Sequence, residues 1–313
     1  MVKNNVLFMR FSSLGDVIIA NFTAMKIKEA HPDWHLTWLV DVIYVEIVRS
    51  QPWVDEVIAW DRHSDGNSGF MKIIGEVRRN KYAILIDMHG TDRSSFFSLC
   101  SGIPVRYCEE HRFPFTHTTH DAAQFWDTTQ HQAECPKYLY VATPRRSWIP
   151  EHLRNRKLLA LAIGASYSKK RWPVDNWIEF CRLATDHGYN FCLLGNGADE
   201  VTAANIISTA VSPLCFVNLA GKLSLSELVQ VIDSTDLTVS GDTGSLHIAR
   251  ALGKPLVAMF GPTSLSDTEY MKSLNNIFFC DCPKQGCGLY TCNKPCMGTI
   301  EPSVIIERIG TLI

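Results

Sequence analysis

Two short stretches carry the residue types that can do chemistry. Ser240 to Ala249 reads S-G-D-T-G-S-L-H-I-A and follows an apolar run, Leu237-Thr238-Val239. The pattern predicts a strand, a loop and an amphipathic helix that stops at Gly253. Asp242 can cap that helix, and Gly244 lets a ligand come close to the backbone. The unpaired N–H groups of its first turn then form an anion site, helped by the helix dipole. Thr243 adds a hydroxyl, and His247 lies one turn further along. The second stretch is Arg10-Phe11-Ser12-Ser13-Leu14-Gly15-Asp16. Gly15 suits a tight turn, and Asp16 falls at or near a helix N-cap. Asp16 can take a proton from an attacking hydroxyl, although a helix N-terminus makes it a weak base. One loop suits a diphosphate and the other offers a carboxylate, a pairing that suggests group transfer across a cleft. Plain helix capping fits both stretches as well.

Further strand-end loops add candidates. Ser166-Tyr167-Ser168-Lys169-Lys170-Arg171-Trp172-Pro173 holds Lys170, which can neutralise a phosphate, and Ser166, which can hydrogen-bond one. A solvated basic loop is the plain alternative. In Gly195-Asn196-Gly197-Ala198-Asp199-Glu200, Asp199 or Glu200 can hold a ribose diol, or simply favour a helix start. No clean G-x-G-x-x-G is present, so a dinucleotide fingerprint is unsupported. Arg93, Arg106 and Arg112 follow strand-like runs and can meet an anionic acceptor. His89, His117 and His120 can join them or bind metal, but H-x-x-H without a third ligand is a weak pattern.

The elements that must position these residues alternate. Strands are expected at 6–9, 35–40, 57–60, 82–87, 158–163, 190–194, 215–217, 237–239 and 256–260. Helices are expected at 16–29, 42–51, 69–80, from 93, 174–187, from 198, 224–234, from 242 and 302–313. This order implies parallel sheets covered by helices. Thr143 to Pro150, with two prolines, reads as a linker. The expected domains are therefore 1–148 and 149–313, the second ending in a terminal helix.

With 313 residues, 46% of them hydrophobic, the chain is large enough for two such cores. A formal charge of −2 argues against general nucleic-acid binding. No run approaches the roughly 20 apolar residues of a membrane span, and the N-terminus lacks signal-peptide features. A cytoplasmic protein, able to rest on the inner membrane surface, is expected. Of the 11 cysteines, Cys100, Cys108, Cys135, Cys181, Cys192 and Cys215 are scattered and read as reduced packing residues. Cys280, Cys282, Cys287, Cys292 and Cys296 follow C-x-C-x4-C-x4-C-x3-C, which matches no paired zinc ribbon. A zinc or iron–sulfur site and reduced structural thiols both stay open there.

The motifs R-F-S-S-L-G-D, K-K-R-W-P, S-G-D-T-G-S-L-H, A-L-G-K-P and F-G-P-T together resemble glycosyltransferase family 9, the lipopolysaccharide core heptosyltransferase family. P-W-V-D-E-V-I, I-D-M-H-G and the segment ending C-M-G-T-I are also similar to the family. The resemblance implies an α/β fold of GT-B type, two Rossmann-like doubly wound domains facing across a cleft. It implies inverting transfer of heptose from ADP-heptose to an inner-core lipopolysaccharide acceptor. Asp16 is then the general base and Lys170 the catalytic cation. Ser166, Asp199 or Glu200, Leu223, Asp242, Thr243, Gly244 and His247 fall on the donor side. Ser12, Ser13, Gly15, Arg93, Arg106 and Arg112 fall on the acceptor side. Two adjacent lysines leave open which one serves. No cofactor is required on this reading, and Mg2+ would at most stimulate. Another nucleotide sugar, a nucleotide-sugar epimerase of the same architecture and a non-catalytic nucleotide binder are the competing expectations.

Overall fold

The computed structural model describes residues 5–108, 137–141, 148–264, 275–289, 291–294 and 296–313, and the backbone of 117–118. The chain forms two compact units, 1–142 and 143–313. The division falls at the start of the proline-containing stretch read as a linker, of which 143–147 lie outside the described residues.

In the first unit six strands form one sheet: β1 (Asn5–Met9), β2 (His35–Asp41), β3 (Glu56–Trp60), β4 (Ile84–Asp87), β5 (Val105–Cys108) and β6 (His117–Thr118). Their order is β3-β2-β1-β4-β5-β6 and every pairing is parallel. Helices α1 (Leu14–Ala30), α2 (Val45–Arg49), α3 (Gly66–Asn80) and α4 (Asp92–Ser101) connect them. Side chains alternate along β1, as they must in a pleated strand. Leu7 and Met9 join Phe70, Ile73, Ile74 and Val77 of α3 and Phe97 of α4 in one core. Phe8 points to the other face, edge-on to Trp38 at 4.6 Å. Helix α1 is buried on nearly every side, which fits its apolar sequence. Residues 137–141 cover it. Asn21 donates to the Tyr138 carbonyl at 2.7 Å, and Phe22 meets the Tyr138 ring.

The second unit repeats the plan. Strands β7 (Leu158–Ala162), β8 (Asn190–Leu194), β9 (Phe216–Asn218), β10 (Leu237–Gly241), β11 (Leu256–Phe260) and β12 (Ile277–Phe279) pair in the order β12-β11-β10-β7-β8-β9. All of these pairs are parallel as well. Counted from the first strand of each unit, both sheets have the doubly wound order 3-2-1-4-5-6. Helices α5 (Val174–Asp186), α6 (Ala198–Val211), α7 (Leu225–Ser234), α8 (Gly244–Ala251) and α9 (Pro302–Leu312) complete the unit. Trp177, Phe180 and Ile309 share one core with Leu161, Phe191 and Val239. Each such fully buried side chain contributes about 1.5–3 kcal/mol. The terminal helix is thus part of this core rather than an appendage.

In such a sheet the chain reverses its winding between the first and fourth strands, and a crevice opens at their carboxyl ends. Here those pairs are β1/β4 and β7/β10. The loops after them hold Arg10–Ser13, Met88–Thr91, Gly164–Arg171 and Asp242–Thr243. The topology alone therefore gathers most of the chemistry-bearing loops at two switch points.

Candidate functional site

At the second unit's switch point, Lys170 Nζ lies 2.6 Å from Asp242 Oδ2. His247 Nε2 lies 3.6 Å from Asp242 Oδ1. Burial pushes the Asp242 carboxyl up, but His247 and Lys170 outweigh it and hold the group well below the usual carboxylate range. Thr243 is the N-cap of α8, and Gly244 is its first residue. Asp242 therefore does not cap the helix, as its position suggested; its oxygens face Lys170 and His247 instead. The helix also stops at Ala251, two residues before Gly253, whose φ of 68° ends it in the left-handed region. Thr243 Oγ1 is 3.0 Å from Ser240 Oγ. The Leu246 amide already donates to the Thr243 carbonyl at 3.1 Å, so the Gly244 and Ser245 amides that open α8 remain the expected anion donors.

The lysine loop is held on several sides. Arg171 donates to the Ala165 carbonyl at 2.9 Å and pairs with Asp199 at 3.3 Å and Glu200 at 3.0 Å. Trp172 Nε1 donates to the Ile300 carbonyl at 3.0 Å, and Asn176 reaches the same oxygen at 3.2 Å. Gly241 is needed where the loop crosses β10. A β-carbon there would stand 2.9 Å from the Lys170 carbonyl oxygen. Lys169 turns away and donates to the Lys294 carbonyl at 3.4 Å. Of the two lysines, Lys170 is the one brought to Asp242, whose other oxygen faces His247.

Other donor-side candidates spread out. Ser166 is exposed on its loop, and Leu223 is half-buried before α7. Glu200 is buried, with Gly197 N–H on one oxygen and Arg171 on the other. Its carboxylate braces the start of α6. Asp199 is the solvent-facing acid of the pair, its side chain 87% exposed.

At the first unit's switch point, Ser13 is the N-cap of α1 and Asp16 sits three residues in. Gly15 lies buried within the first turn of the helix, not in a tight turn. Asp16 Oδ2 accepts Ser13 N–H at 2.9 Å, Ser13 Oγ at 2.9 Å and Arg10 Nη2 at 2.6 Å. Burial raises the Asp16 carboxyl, while Arg10 and the Ser13 hydrogen bonds bring it below its ordinary range. Arg10 also donates to the Met88 carbonyl. His89 packs edge-on to Phe11 at 4.8 Å. Burial, then Arg10 and Arg62, lower its imidazole to about 4. Arg62 pairs with the buried Asp41.

Arg93 lies on the first turn of α4, its guanidinium 5.6 Å from the Trp60 ring centre. Arg106 is half-buried on β5. Ser12 is half-buried in the loop after β1. Arg112, His120 and Cys135 lie outside the described residues, as does the side chain of His117. The sequence reading did not single out Arg10, Asp41, Arg62 or Arg171. Three of them stand at or just past a strand's carboxyl end, and that position was the available signal.

The described cysteines are free thiols. Cys280 and Cys296 are buried; Cys282, Cys287 and Cys292 are half-buried. Burial, with Cys296 and Cys282 nearby, pushes the Cys280 thiol up to about 11. Among the described residues no group of three or more His, Cys, Asp or Glu is placed to hold a metal ion. No helix among them is long and apolar enough to cross a membrane.

Two Rossmann-like units, each with chemistry-bearing loops at its switch point, define an α/β protein of GT-B type. Residues 70–297 match the family described as "Glycosyltransferase family 9 (heptosyltransferase)", and the chain belongs to that family. It is 25% identical over 296 residues to lipooligosaccharide heptosyltransferase 2 of Haemophilus ducreyi, covering 82% of this chain and 83% of that one. It is 22% identical to lipopolysaccharide heptosyltransferase 1 of Campylobacter coli, covering 98% of each. The fold is similar to E. coli ADP-heptose LPS heptosyltransferase II, with a TM-score of 0.75 at 20% identity, covering 98% of both chains. A family 9 glycosyl transferase from Veillonella parvula gives a TM-score of 0.77 at 18% identity, covering 100% of this chain and 98% of that one.

Proposed function

We propose that this glycosyltransferase moves a heptose from ADP-heptose to a lipopolysaccharide inner-core acceptor, with inversion at the anomeric carbon. The observation that carries the reading is Lys170, held at the opening of α8 by Asp242, whose other oxygen faces His247, in a chain whose relatives are named as heptosyltransferases of lipopolysaccharide or lipooligosaccharide. A similar fold, E. coli WaaC, is described with ADP-2-deoxy-2-fluoro heptose, which supports the same donor class.

In this reading an acceptor hydroxyl oxygen bonds to the anomeric carbon as the bond to the diphosphate oxygen breaks. Asp16 takes the hydroxyl proton. Lys170 and the first amides of α8 stabilise the charge growing on the departing ADP, which is electrostatic catalysis by donors already in place. Thr243, Gly244 and Ser166 contact the diphosphate. Asp242 keeps the Lys170 ammonium and the His247 ring in register. Asp199 is the better ribose partner, because both Glu200 oxygens are engaged within the chain. Leu223 lies against the base. Ser12, Ser13, Arg93, Arg106 and Arg112 serve the acceptor. One displacement gives one inversion. No metal takes part in this scheme, and the acceptor's lipid places the enzyme at the cytoplasmic membrane face.

The test is a panel of nucleotide sugars, scored for nucleoside diphosphate release with and without lipopolysaccharide core acceptors. ADP-heptose should turn over only when acceptor is present, and the product anomer should be inverted. Clear preference for another donor would reject the heptose assignment. Acceptor-independent interconversion of the donor sugar would instead support an epimerase.

A further inference from the structure

The two oxygens of Asp16 are unequally employed. Oδ2 collects three donors: the Ser13 amide, the Ser13 hydroxyl and Arg10. Oδ1 has no hydrogen-bond partner among the described residues. The Asp16 side chain is 43% exposed, whereas Arg10 is 16% exposed. Arg10 is also anchored at its other end, because Nη1 reaches the Met88 carbonyl just past β4. Its guanidinium thus spans the two strands that flank the switch point. One planar fork is fixed to the backbone of one strand end and to the carboxylate rising from the other, a geometry that lysine cannot reproduce.

The geometry points to Arg10 as a positioning residue that locks Asp16 Oδ2 and leaves Oδ1 as the oxygen that receives the acceptor's proton. This rests on the reading of Asp16 as the base. A carboxylate on a helix's first turn can rotate about its last torsion. Three donors on one oxygen stop that rotation and present the other oxygen to the incoming hydroxyl. The remaining charged and titratable groups nearby are consistent with this. Tyr44, beyond β2, feels Asp41, Arg62 and Asp16. Arg62 is occupied by Asp41. His89 feels Arg10, Arg62 and Asp16 and carries no charge at neutral pH. Arg10 is the cation that touches Asp16 directly.

The experiment is a double-mutant comparison with four measurements: kcat, acceptor KM, donor affinity and the pH profile of kcat. Arg10→Met and Arg10→Lys are made in the wild-type and Asp16→Asn backgrounds. Arg10→Met should lower kcat about ten- to a hundredfold and leave donor affinity within about twofold. It should also move the acid limb to higher pH, since a carboxyl without its cation protonates sooner. Arg10→Lys, which keeps the charge and the stem, should restore the acid limb but not the full kcat. In the Asp16→Asn background neither change should cost more than about twofold. Unchanged kcat and acid limb in Arg10→Met would overturn the inference. So would an equal loss in both backgrounds, since Arg10 would then act on some other group. If Arg10→Met does not fold, Arg10→Lys decides by the same comparison of backgrounds. Wild-type turnover by Asp16→Asn alone would instead remove the base reading itself, and that arm is scored separately.

Discussion

Lys170 and Asp242 are 72 residues apart in sequence and 2.6 Å apart in space. The contact joins the loop after β7 to the loop after β10, the two loops that flank the switch point of the second sheet. It also separates two adjacent lysines by what each one reaches. Lys170→Ala should lower kcat/KM about a hundredfold, the scale of losing one prearranged electrostatic donor, and should weaken ADP binding. Lys169→Ala should stay within about threefold of wild type. Steady-state kinetics and calorimetric titration with ADP check both. Equal losses from the two lysines would reject the assignment.

His89 gives a pH signature for the first unit. Its folded value of about 4 lies below the ordinary 6.5. Between those two values the unfolded chain binds a proton that the folded chain refuses. Stability therefore falls as pH drops through that window, and above about 6.5 the group has no effect. Denaturant unfolding at several pH values should show a steeper acid loss for wild type than for His89→Gln. An imidazole resonance that titrates near 6.5 in the folded protein would contradict this.

Metal removal should be harmless to turnover. On the proposed scheme Lys170 and helix amides hold the leaving group, so dialysis against a chelator should leave kcat within about twofold, and added Mg2+ should raise it only modestly. Loss of activity that is restored by one particular divalent ion would show that a metal shares the charge stabilisation.

Trp172 is buried, and its indole N–H meets the Ile300 carbonyl. Trp172→Phe keeps a six-membered ring, leaves a small void and deletes that bond. The expected cost is about 1–3 kcal/mol of stability, read as a lower denaturation midpoint. Asn176, which bonds the same carbonyl, should bring the loss toward the lower end. A midpoint equal to wild type would mean the anchor contributes nothing.

The alternation of elements was legible in the sequence because most strands are short apolar runs bounded by turn residues. The strands at 190–194 and 256–260 match the observed β8 and β11 to the residue. Among the described residues three strands were missed. β5, V-R-Y-C, carries a half-buried arginine mid-strand. β6 has two residues, and β12 has three at a sheet edge. Such pieces take their structure from the neighbour they pair with rather than from local propensity. The helix expected over 42–51 is a five-residue α2 after a 3-10 turn.

Within the site, residue types were readable but partners were not. Asp242 and Asp16 both looked like caps, because Asp is favoured there. The residues that engage them, Lys170 and Arg10, depend on which strands adjoin, and sheet order is non-local information. Glu200 shows the same limit. Spacing made it a ribose candidate, but its carboxylate turns back onto Gly197 and Arg171.

The bond from Trp172 to the Ile300 carbonyl spans 128 residues. On the ribosome, the loop bearing Lys170 emerges long before the segment that ties it down. The first unit can complete its sheet early. The pocket expected to grip the diphosphate takes its final shape only after residues near 300 have cleared the exit tunnel. Translation stalled short of that point would yield a chain with its Arg10–Asp16 pair assembled and the Lys170 loop still untied.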